Sequence, residues 1–142
     1  MTTGGVREAR RDDAPAISRL LGELGHPAAE PEVRARLAEI GRRDGHVVLV
    51  VESGGSVVGA ASGFVSPVLH RPGLTGRISV MVVAEGARGA GVGSRLLAAI
   101  EAALVARGAT SLELTSNVRR AEAHGFYEKR GWARQGYRFE KR

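Results

Sequence analysis

The sequence contains no cysteine, so disulfide bonds and thiolate metal sites are excluded. Aromatic residues make up only 4% of the 142 residues, and a core must therefore be built mainly from Val, Leu, Ile and Ala. No apolar run approaches the roughly 20 residues that a membrane-spanning helix needs. The first five residues lack the apolar stretch of a secretion signal. These absences predict a cytoplasmic protein without a membrane partner.

Charge and length narrow the class of protein further. The formal net charge is +6, but the basic residues are dispersed and have no aromatic residues between them, so nucleic acid is not the expected partner. The charge is better suited to a solvated surface and to the attraction of an anionic ligand. Four histidines without paired spacing predict no metal site. With no repeat or linker, residues 1–142 are expected to form a single domain with its core at about 5–140.

Hydrophobic periodicity predicts elements in the order β-α-α-β-β-β-α-β-α-β. The expected strands are 6–9, 46–52, 57–64, 78–83, 110–115 and 132–139, and the expected helices are 12–25, 31–40, 92–107 and 119–130. Gly54 and Gly55 predict a hairpin turn, and Gly59 and Gly63 predict a bulge or a close backbone approach. Residues 66–76 show no periodicity and are expected to be a loop that forms a wall of a substrate pocket.

A glycine-rich stretch joins the fourth strand to the third helix. Residues 86, 89, 91 and 93 are glycines, and Arg88 lies among them. Glycine lets the backbone approach a ligand closely, while a helix N-terminus offers N–H groups and a partial positive charge. The turn is therefore predicted to bind phosphate, with Arg88 adding charge-assisted hydrogen bonds. The alternative is a glycine-rich loop without a ligand.

The spacing of this loop distinguishes between kinds of phosphate ligand. A dinucleotide fingerprint would need a third glycine where Ser94 stands, and a mononucleotide P-loop would need a lysine that the loop lacks. The string Arg-Gly-Ala-Gly-Val-Gly from Arg88 to Gly93 instead resembles the R/Q-x-x-G-x-G/A loop of GCN5-related N-acetyltransferases (the GNAT family). The resemblance implies an α/β fold: one GNAT-type domain with a mixed, mostly antiparallel sheet, splayed strands four and five, and about four helices. It also implies acetyl-CoA as co-substrate, with no metal.

A second stretch resembles the same family. Residues 112–117, Leu-Glu-Leu-Thr-Ser-Asn, are followed by Ala-His-Gly-Phe-Tyr-Glu-Lys-Arg-Gly-Trp at 123–132, similar to the family's A-x-x-F-Y-E-x-x-G-F. The resemblance implies that Tyr127 protonates or hydrogen-bonds the departing thiolate, as a phenol can. It also implies that Asn117 binds the pantetheine chain and that Phe126, a core residue, touches it.

Strand four has a separate role in this resemblance. Its splay is expected to leave backbone groups of residues 81–83 available to pair with pantetheine, and Val83 or a neighbour is expected to donate an N–H to the thioester oxygen. The residues expected to bind the co-substrate are Met81, Val82, Val83, Arg88, Gly89, Ala90, Gly91, Val92, Gly93, Ser94, Asn117 and Phe126.

The general base is not identified by the sequence. An acceptor amine must be neutral to attack, and many relatives carry a carboxylate on strand four, but residues 77–81 contain none. Glu85, Glu113, His70, His124 and an ordered water all remain candidates.

The expected function is direct transfer of an acetyl group from acetyl-CoA to a primary amine of a small molecule, because a cysteine intermediate cannot form. One alternative is acetylation of a protein N-terminus or lysine, against which the short loops argue. Another is a non-catalytic acyl-CoA-binding module, which the missing strand-four carboxylate supports and the intact loop and Tyr127 oppose. The sequence leaves open the acceptor, a preference for another acyl-CoA, and a homodimer.

Overall fold

The structure, a computed structural model, describes residues 5–115, 121–136 and 138–142. Its strands are β1 (Val6–Glu8), β2 (His46–Ser53), β3 (Ser56–Val68), β4 (Arg71–Val83) and β5 (Ala109–Leu114). Its helices are α1 (Ala14–Leu24), α2 (Glu30–Gly41), α3 (Val92–Ala106) and α4 (Ala121–Glu128), with short 3₁₀ turns at Arg11–Asp13 and Glu85–Ala87. No helix in the described ranges is long and apolar enough to cross a membrane.

The five strands form one sheet in the order β1-β2-β3-β4-β5. The first three pairings are antiparallel, while β5 runs parallel to β4. The β4–β5 pairing ends at Ile78 opposite Leu114, but β4 continues beside β3 to Val83. The predicted mixed sheet and the splay of strands four and five are therefore confirmed.

Two apolar clusters cover the two faces of the sheet. On one face, α3 contributes the fully buried Leu96, Leu97, Ile100 and Leu104, which pack with Val51, Ala61 and Ile78. On the other, α1 and α2 contribute Ile17, Leu20 and Val33, which pack with Val50, Ala60 and Val82. Each such side chain contributes about 1.5–3 kcal/mol when fully removed from water. The sheet is thus the middle layer of three.

The start of α1 is fixed by a charged cluster around Asp13. Both carboxylate oxygens accept hydrogen bonds from the Arg7 guanidinium at 2.9 Å, and one also accepts the Arg10 amide at 2.6 Å. Arg7 donates through Nε to Glu52 on β2 at 2.7 Å. The hydrogen bonds from Arg7 hold the pKa of the buried Asp13 below its ordinary value, against the opposing effect of burial. The helix predicted to start at about residue 12 begins at Ala14, with Asp13 as its N-cap residue. The Asp13 carboxylate accepts from Arg7 and Arg10 rather than from the α1 amides.

The predicted loop at 66–76 is wrong, because β3 and β4 continue through it as a hairpin. Pro67 lies beyond Phe64, the last β3 residue opposite β2, so its missing N–H costs no hydrogen bond to β2. Gly73 and Gly76 are needed for a different reason, the close approach of β5. A Cβ on Gly76 would lie 2.8 Å from Leu112 Cδ2, and Gly73 has a φ of +75°.

The predicted closing strand at 132–139 is also absent from the described residues of that segment. Trp132 instead packs against the α3 cluster, and its Nε1 donates to Glu101 of α3 at 2.9 Å. A side-chain anchor therefore fixes the start of this segment in place of strand pairing. The predicted helix over 119–130 is described from Ala121 onward, and residues 119 and 120 lie outside the described ranges.

The predicted close approaches at Gly59 and Gly63 are confirmed. A Cβ on Gly59 would lie 2.8 Å from Val51 Cγ1, and one on Gly63 would lie 2.7 Å from the Arg77 carbonyl oxygen. Beside Gly63 the register shifts, since Ser62 faces Val80 while Gly63 faces Ile78, which leaves Ser79 as an extra residue on β4.

Candidate active site

The cleft between β4 and β5 is lined by alternate backbone groups of β4. The Ala84 amide donates to the Val58 carbonyl on β3 at 2.8 Å, so by antiparallel alternation the groups of Val82 also point to β3. Those of Met81 and Val83 point the other way, into the cleft. Of the three predicted backbone contacts, the structure brings Met81 and Val83 to the cleft and turns Val82 away from it.

The glycine-rich loop lies at the mouth of this cleft. Gly89 and Gly91 have φ values of +88° and +79°, and Gly91 is the N-cap of α3. A Cβ on Gly89 would meet nothing within 4 Å, so this face of the loop is open. Hydrogen bonding within α3 begins with the Arg95 amide donating to Gly91. The amides of residues 92–94 precede it, and such first-turn amides have no acceptor within their helix.

Arg88 joins the loop to the cleft. Its Nε donates to the Val83 carbonyl oxygen at 3.2 Å, one of the backbone groups that face the cleft. The rest of its guanidinium is exposed, as are Gly89, Ala90 and Gly91. A guanidinium, open glycines and a helix N-terminus therefore surround one point, an arrangement that suits a diphosphate.

The first turn of α3 packs directly on α4. A Cβ on Gly93 would lie 3.3 Å from two ring atoms of Phe126 and 3.7 Å from Val83 Cγ2, so only glycine lets the ring reach this turn without displacement. Val92, by contrast, is a buried core residue, 2% exposed, whose side chain faces away from the loop's open surface.

Arg130 is a residue of this site that the sequence interpretation missed. Its guanidinium lies 3.8 Å from the centre of the Phe126 ring, and its Nε and Nη2 both donate to the Ser94 hydroxyl. The loop thus has a second cation beside Arg88. The spacing of four residues between Phe126 on α4 and Arg130 just after it is a signal for such stacking, but the contact with Ser94 is not visible in the sequence.

Tyr127 lies on the same side of the sheet as the loop and is 8% exposed. It belongs to the cluster formed by α3, and Met81, Val83 and Leu114, at the opening of the splay, pack against that cluster. The Trp132 ring meets it edge-on at 6.4 Å between ring centres. Its burial next to the cleft agrees with a catalytic role and with plain core packing alike.

The candidate bases are scattered. Glu113 is bound to Arg77 at 3.1 Å, at the last paired position before Ile78 and Leu114. Glu85 is exposed in the 3₁₀ turn, His70 is exposed in the β3–β4 turn, and His124 lies half-buried on α4. The structure does not bring these four together. The predicted Asn117 contact lies outside the described residues.

Two hydroxyls stand where the sequence lacks a carboxylate. Ser79, the extra residue of the bulge, lies with its Oγ 2.8 Å from the Ser62 Oγ. A hydroxyl is not a base at neutral pH, but it can pass a proton to water.

A cavity lies elsewhere on the molecule. It holds about 490 Å³ between α3, the outer edge of β5 and the segment after α4, with Glu101, Thr110 and Trp132 in its lining. No β4 residue lines it, so it is separate from the cleft. In the described residues no three His, Asp or Glu side chains are grouped as metal ligands.

Comparisons with known proteins agree with this architecture. Residues 7–132 match the acetyltransferase (GNAT) family. The chain is 31% identical to the aminoalkylphosphonate N-acetyltransferase of Salmonella typhimurium over 141 residues, which covers 96% of this chain and 89% of that protein. It superimposes on glucosamine-6-phosphate N-acetyltransferase from Arabidopsis thaliana with a TM-score of 0.84 and 25% identity, covering 99% of both chains. It has the fold of an aminoglycoside N-acetyltransferase solved with CoA, with a TM-score of 0.86 and 14% identity, covering 100% of this chain and 95% of that one.

The splayed sheet, the loop at the start of α3 and the match over residues 7–132 give one answer. The chain belongs to the GNAT family of acetyltransferases and is an N-acetyltransferase that uses acetyl-CoA as acyl donor.

Proposed function

We propose that this protein transfers an acetyl group from acetyl-CoA directly to the primary amine of a small molecule. The supporting observation is the point where Arg88 donates to the Val83 carbonyl, because there the cleft and the N-terminus of α3 meet. The diphosphate would contact the amides of residues 92–94, the open glycines and Arg88. Pantetheine would then extend along β4 against the backbone of Met81 and Val83.

In this proposal β4 also stabilises the reaction's charge. The acceptor nitrogen attacks the thioester carbonyl carbon and forms the new C–N bond, which places negative charge on the carbonyl oxygen. An N–H of Met81 or Val83 that faces the cleft donates to that oxygen. The carbonyl then reforms as the C–S bond breaks, and the sulfur leaves as a thiolate that takes a proton from the Tyr127 hydroxyl. The acylated nitrogen gives up its second proton to water, which passes a proton back to the Tyr127 phenolate and leaves a neutral amide.

The acceptor must lose a proton before it attacks. Residues 77–81 contain no carboxylate, and Glu113 is held by Arg77, so we propose that water accepts this proton beside the Ser62 and Ser79 hydroxyls. Asn117 would bind the pantetheine amides, as the family pattern implies.

The finer acceptor class follows from the Salmonella relative, which is named for aminoalkylphosphonates. We propose that this chain also takes a short primary amine that carries an anionic group. A protein acceptor has no particular support in the structure.

The test measures thiol release from acetyl-CoA with a panel of amines. The panel contains 2-aminoethylphosphonate, taurine, β-alanine, ethanolamine, n-propylamine, an amino sugar and a lysine peptide. Release that depends on a small amine, together with a product heavier by one acetyl group, supports the proposal. Binding of acetyl-CoA without release for any amine would instead identify a non-catalytic module, and release only with the peptide would identify a protein acetyltransferase.

A further inference from the structure

One row of side chains crosses four strands on the same sheet face as α1 and α2, in the part that these helices do not cover. Its members are His46 on β2, Phe64 on β3, Arg77 on β4 and Glu113 on β5, each directly opposite the next. The His46 and Phe64 rings stack with 5.0 Å between centres. Arg77 donates to Glu113 at 3.1 Å and to the Thr115 hydroxyl at 3.3 Å. We refer to these four residues as the cross-strand row.

The cross-strand row lies on the sheet face of α1 and α2, opposite the face on which acetyl-CoA is proposed to bind. Val50 and Ala60 pack under α1 and α2, and alternation along each strand places His46 and Phe64 on the same face as these two residues. The loop, α3 and Tyr127 take up the other face. If acetyl-CoA binds on the face of α3, an amine that attacks its thioester must approach from the opposite face, where the cross-strand row lies.

Arg77 lies beside the opening of the cleft. The next residue, Ile78, faces Leu114 in the last paired position, and the strands diverge immediately after it. Val80, at the same level as the cleft, is three residues away from Arg77, or at most about 10 Å along a strand. The flexible side chain of Arg77 shortens that distance, so a molecule of only a few atoms can reach from its guanidinium to the cleft.

The hydrogen bonding of Arg77 leaves room for a further anion. A guanidinium has five N–H donors, and the bonds to Glu113 and Thr115 use one on each terminal nitrogen. The Arg77 side chain is 31% exposed, so water and solutes reach it. Because Glu113 and Thr115 fix its plane, the remaining donors are oriented in advance for a compact oxyanion.

The charged groups along this side of β4 favour an anion over a cation. Beyond Arg77 the face continues with Thr75, whose hydroxyl lies 3.3 Å from that of Ser111, and Arg71 also donates to Ser111 at 3.3 Å. Two arginines thus face one carboxylate, that of Glu113. A ligand with a negative end is attracted to this strip, and its other end is directed to the cleft.

We propose that Arg77 is the specificity-determining residue for the acceptor and binds a compact oxyanion that lies two or three atoms from the amine. Phosphonate, phosphate, sulfonate and carboxylate share the required chemistry. Glu113 and Thr115 are positioning residues for Arg77. This inference rests on the proposed function, and it adds the residue that recognises the acceptor and the reason an anionic amine is preferred over a neutral one.

The test compares matched amines with and without an anion. In the wild-type protein, 2-aminoethylphosphonate should have a KM about 10- to 100-fold lower than that of n-propylamine, the range expected for a hydrogen bond between charged groups. Arg77→Gln should remove that advantage, so that kcat/KM for 2-aminoethylphosphonate falls about 10- to 100-fold more than kcat/KM for n-propylamine, while Arg77→Lys should restore part of it. Arg134→Gln is the matched control, because this arginine also makes an exposed ion pair, with Glu128. It should leave both acceptors unaffected.

A measurement on the unaltered protein guards against a variant that fails to fold. Methylphosphonate should inhibit competitively against the anionic amine and not against acetyl-CoA. Competition against acetyl-CoA alone would place the anion at the loop of α3 and overturn the proposal. An equal loss of activity with both amines in Arg77→Gln would also overturn the proposal. So would a change in the oligomeric state of Arg77→Gln on size exclusion, because it would show that a second copy of the chain covers this face.

Failure of the proposed function would be recognised separately. If no amine releases thiol, calorimetry with 2-aminoethylphosphonate decides the fate of the subsite. If the wild type binds this amine and Arg77→Gln does not, the anion subsite stands. If both proteins bind it equally, or neither binds it, the subsite is excluded.

Discussion

The Gly63 α-carbon lies against the Arg77 carbonyl oxygen, so closely that a Cβ built on Gly63 would be 2.7 Å from it. The same Cβ would meet both Leu104 methyls at 3.2 and 3.4 Å. Gly63→Ala should therefore push β4 away from β3 beside the bulge and destabilise the protein by about 1–3 kcal/mol. Urea unfolding measures this, and Gly41→Ala, with nothing within 4 Å, is the control. Wild-type stability in Gly63→Ala would contradict the close approach.

The open surface of the loop predicts the effect of Gly91→Val. A Cβ there meets only Arg95 Nη1, at 3.9 Å, so the added side chain would occupy the space expected for the diphosphate. We expect acetyl-CoA to bind at least about tenfold more weakly by calorimetry, a change of about 1.4 kcal/mol or more. Since Gly91 has a positive φ, the control is Gly54→Val, which carries similar strain at a hairpin tip. Equal affinities for both variants and the wild type would exclude this loop as the diphosphate site.

Tyr127→Phe removes one hydroxyl and retains the buried ring. If that hydroxyl protonates the thiolate, kcat should fall by about 100-fold or more, since general acids contribute on that scale. Acetyl-CoA affinity should change by less than about twofold, because the interaction is made chiefly in the transition state. Steady-state kinetics and calorimetry measure the two effects. A normal kcat would leave Tyr127 as a core residue only.

Arg130→Ala should weaken acetyl-CoA binding by removing the second cation at the first turn of α3. The expected loss is about tenfold at low salt and less at high salt, because an exposed charge is screened by salt. Arg134→Ala is the matched control, because Arg134, like Arg130, follows α4 and is exposed. An unchanged affinity for Arg130→Ala, or an equal loss in the control, would restrict Arg130 to packing on Phe126.

The Asp13 cluster predicts a pH dependence of stability. The folded-state pKa of Asp13 is lowered, chiefly by its hydrogen bonds with Arg7, so its contribution is present above the ordinary value of 3.8 and is lost as the pH falls through the folded-state value. At pH 7, Asp13→Asn should destabilise the fold by about 2–4 kcal/mol. The difference from wild type should shrink as the pH falls below about 4. Glu39→Gln, at an exposed ion pair, is the control and should leave the stability nearly unchanged.

How far the sequence could predict this protein depends on whether a feature is local. Gly91, Gly25 and Gly108 mark a loop and two helix ends because a positive φ is a property of one residue. The β3–β4 hairpin was missed because its signals, such as Pro67, are ordinary loop signals, and only the end of the β2 pairing at Phe64 makes that proline harmless.

The missed parts of the site are contacts between distant residues. Ser94 and Arg130 are 36 positions apart, as are Arg77 and Glu113, and both contacts follow from how elements pack. No periodicity within one element reveals these contacts. The register of β4 and β5 brings Arg77 to Glu113, and the packing of α3 against α4 brings Ser94 to Arg130.

The bulge at Ser79 keeps the two halves of β4 in phase. Arg77 before it and Val80 and Val82 after it point to one side of the sheet, while Ile78, Met81 and Val83 point to the other. If β4 paired regularly through Ser79, Val80 and Val82 would turn towards α3, and Met81 and Val83 would turn towards α1 and α2. The separate entry routes for donor and acceptor therefore depend on one residue that is left out of the strand pairing.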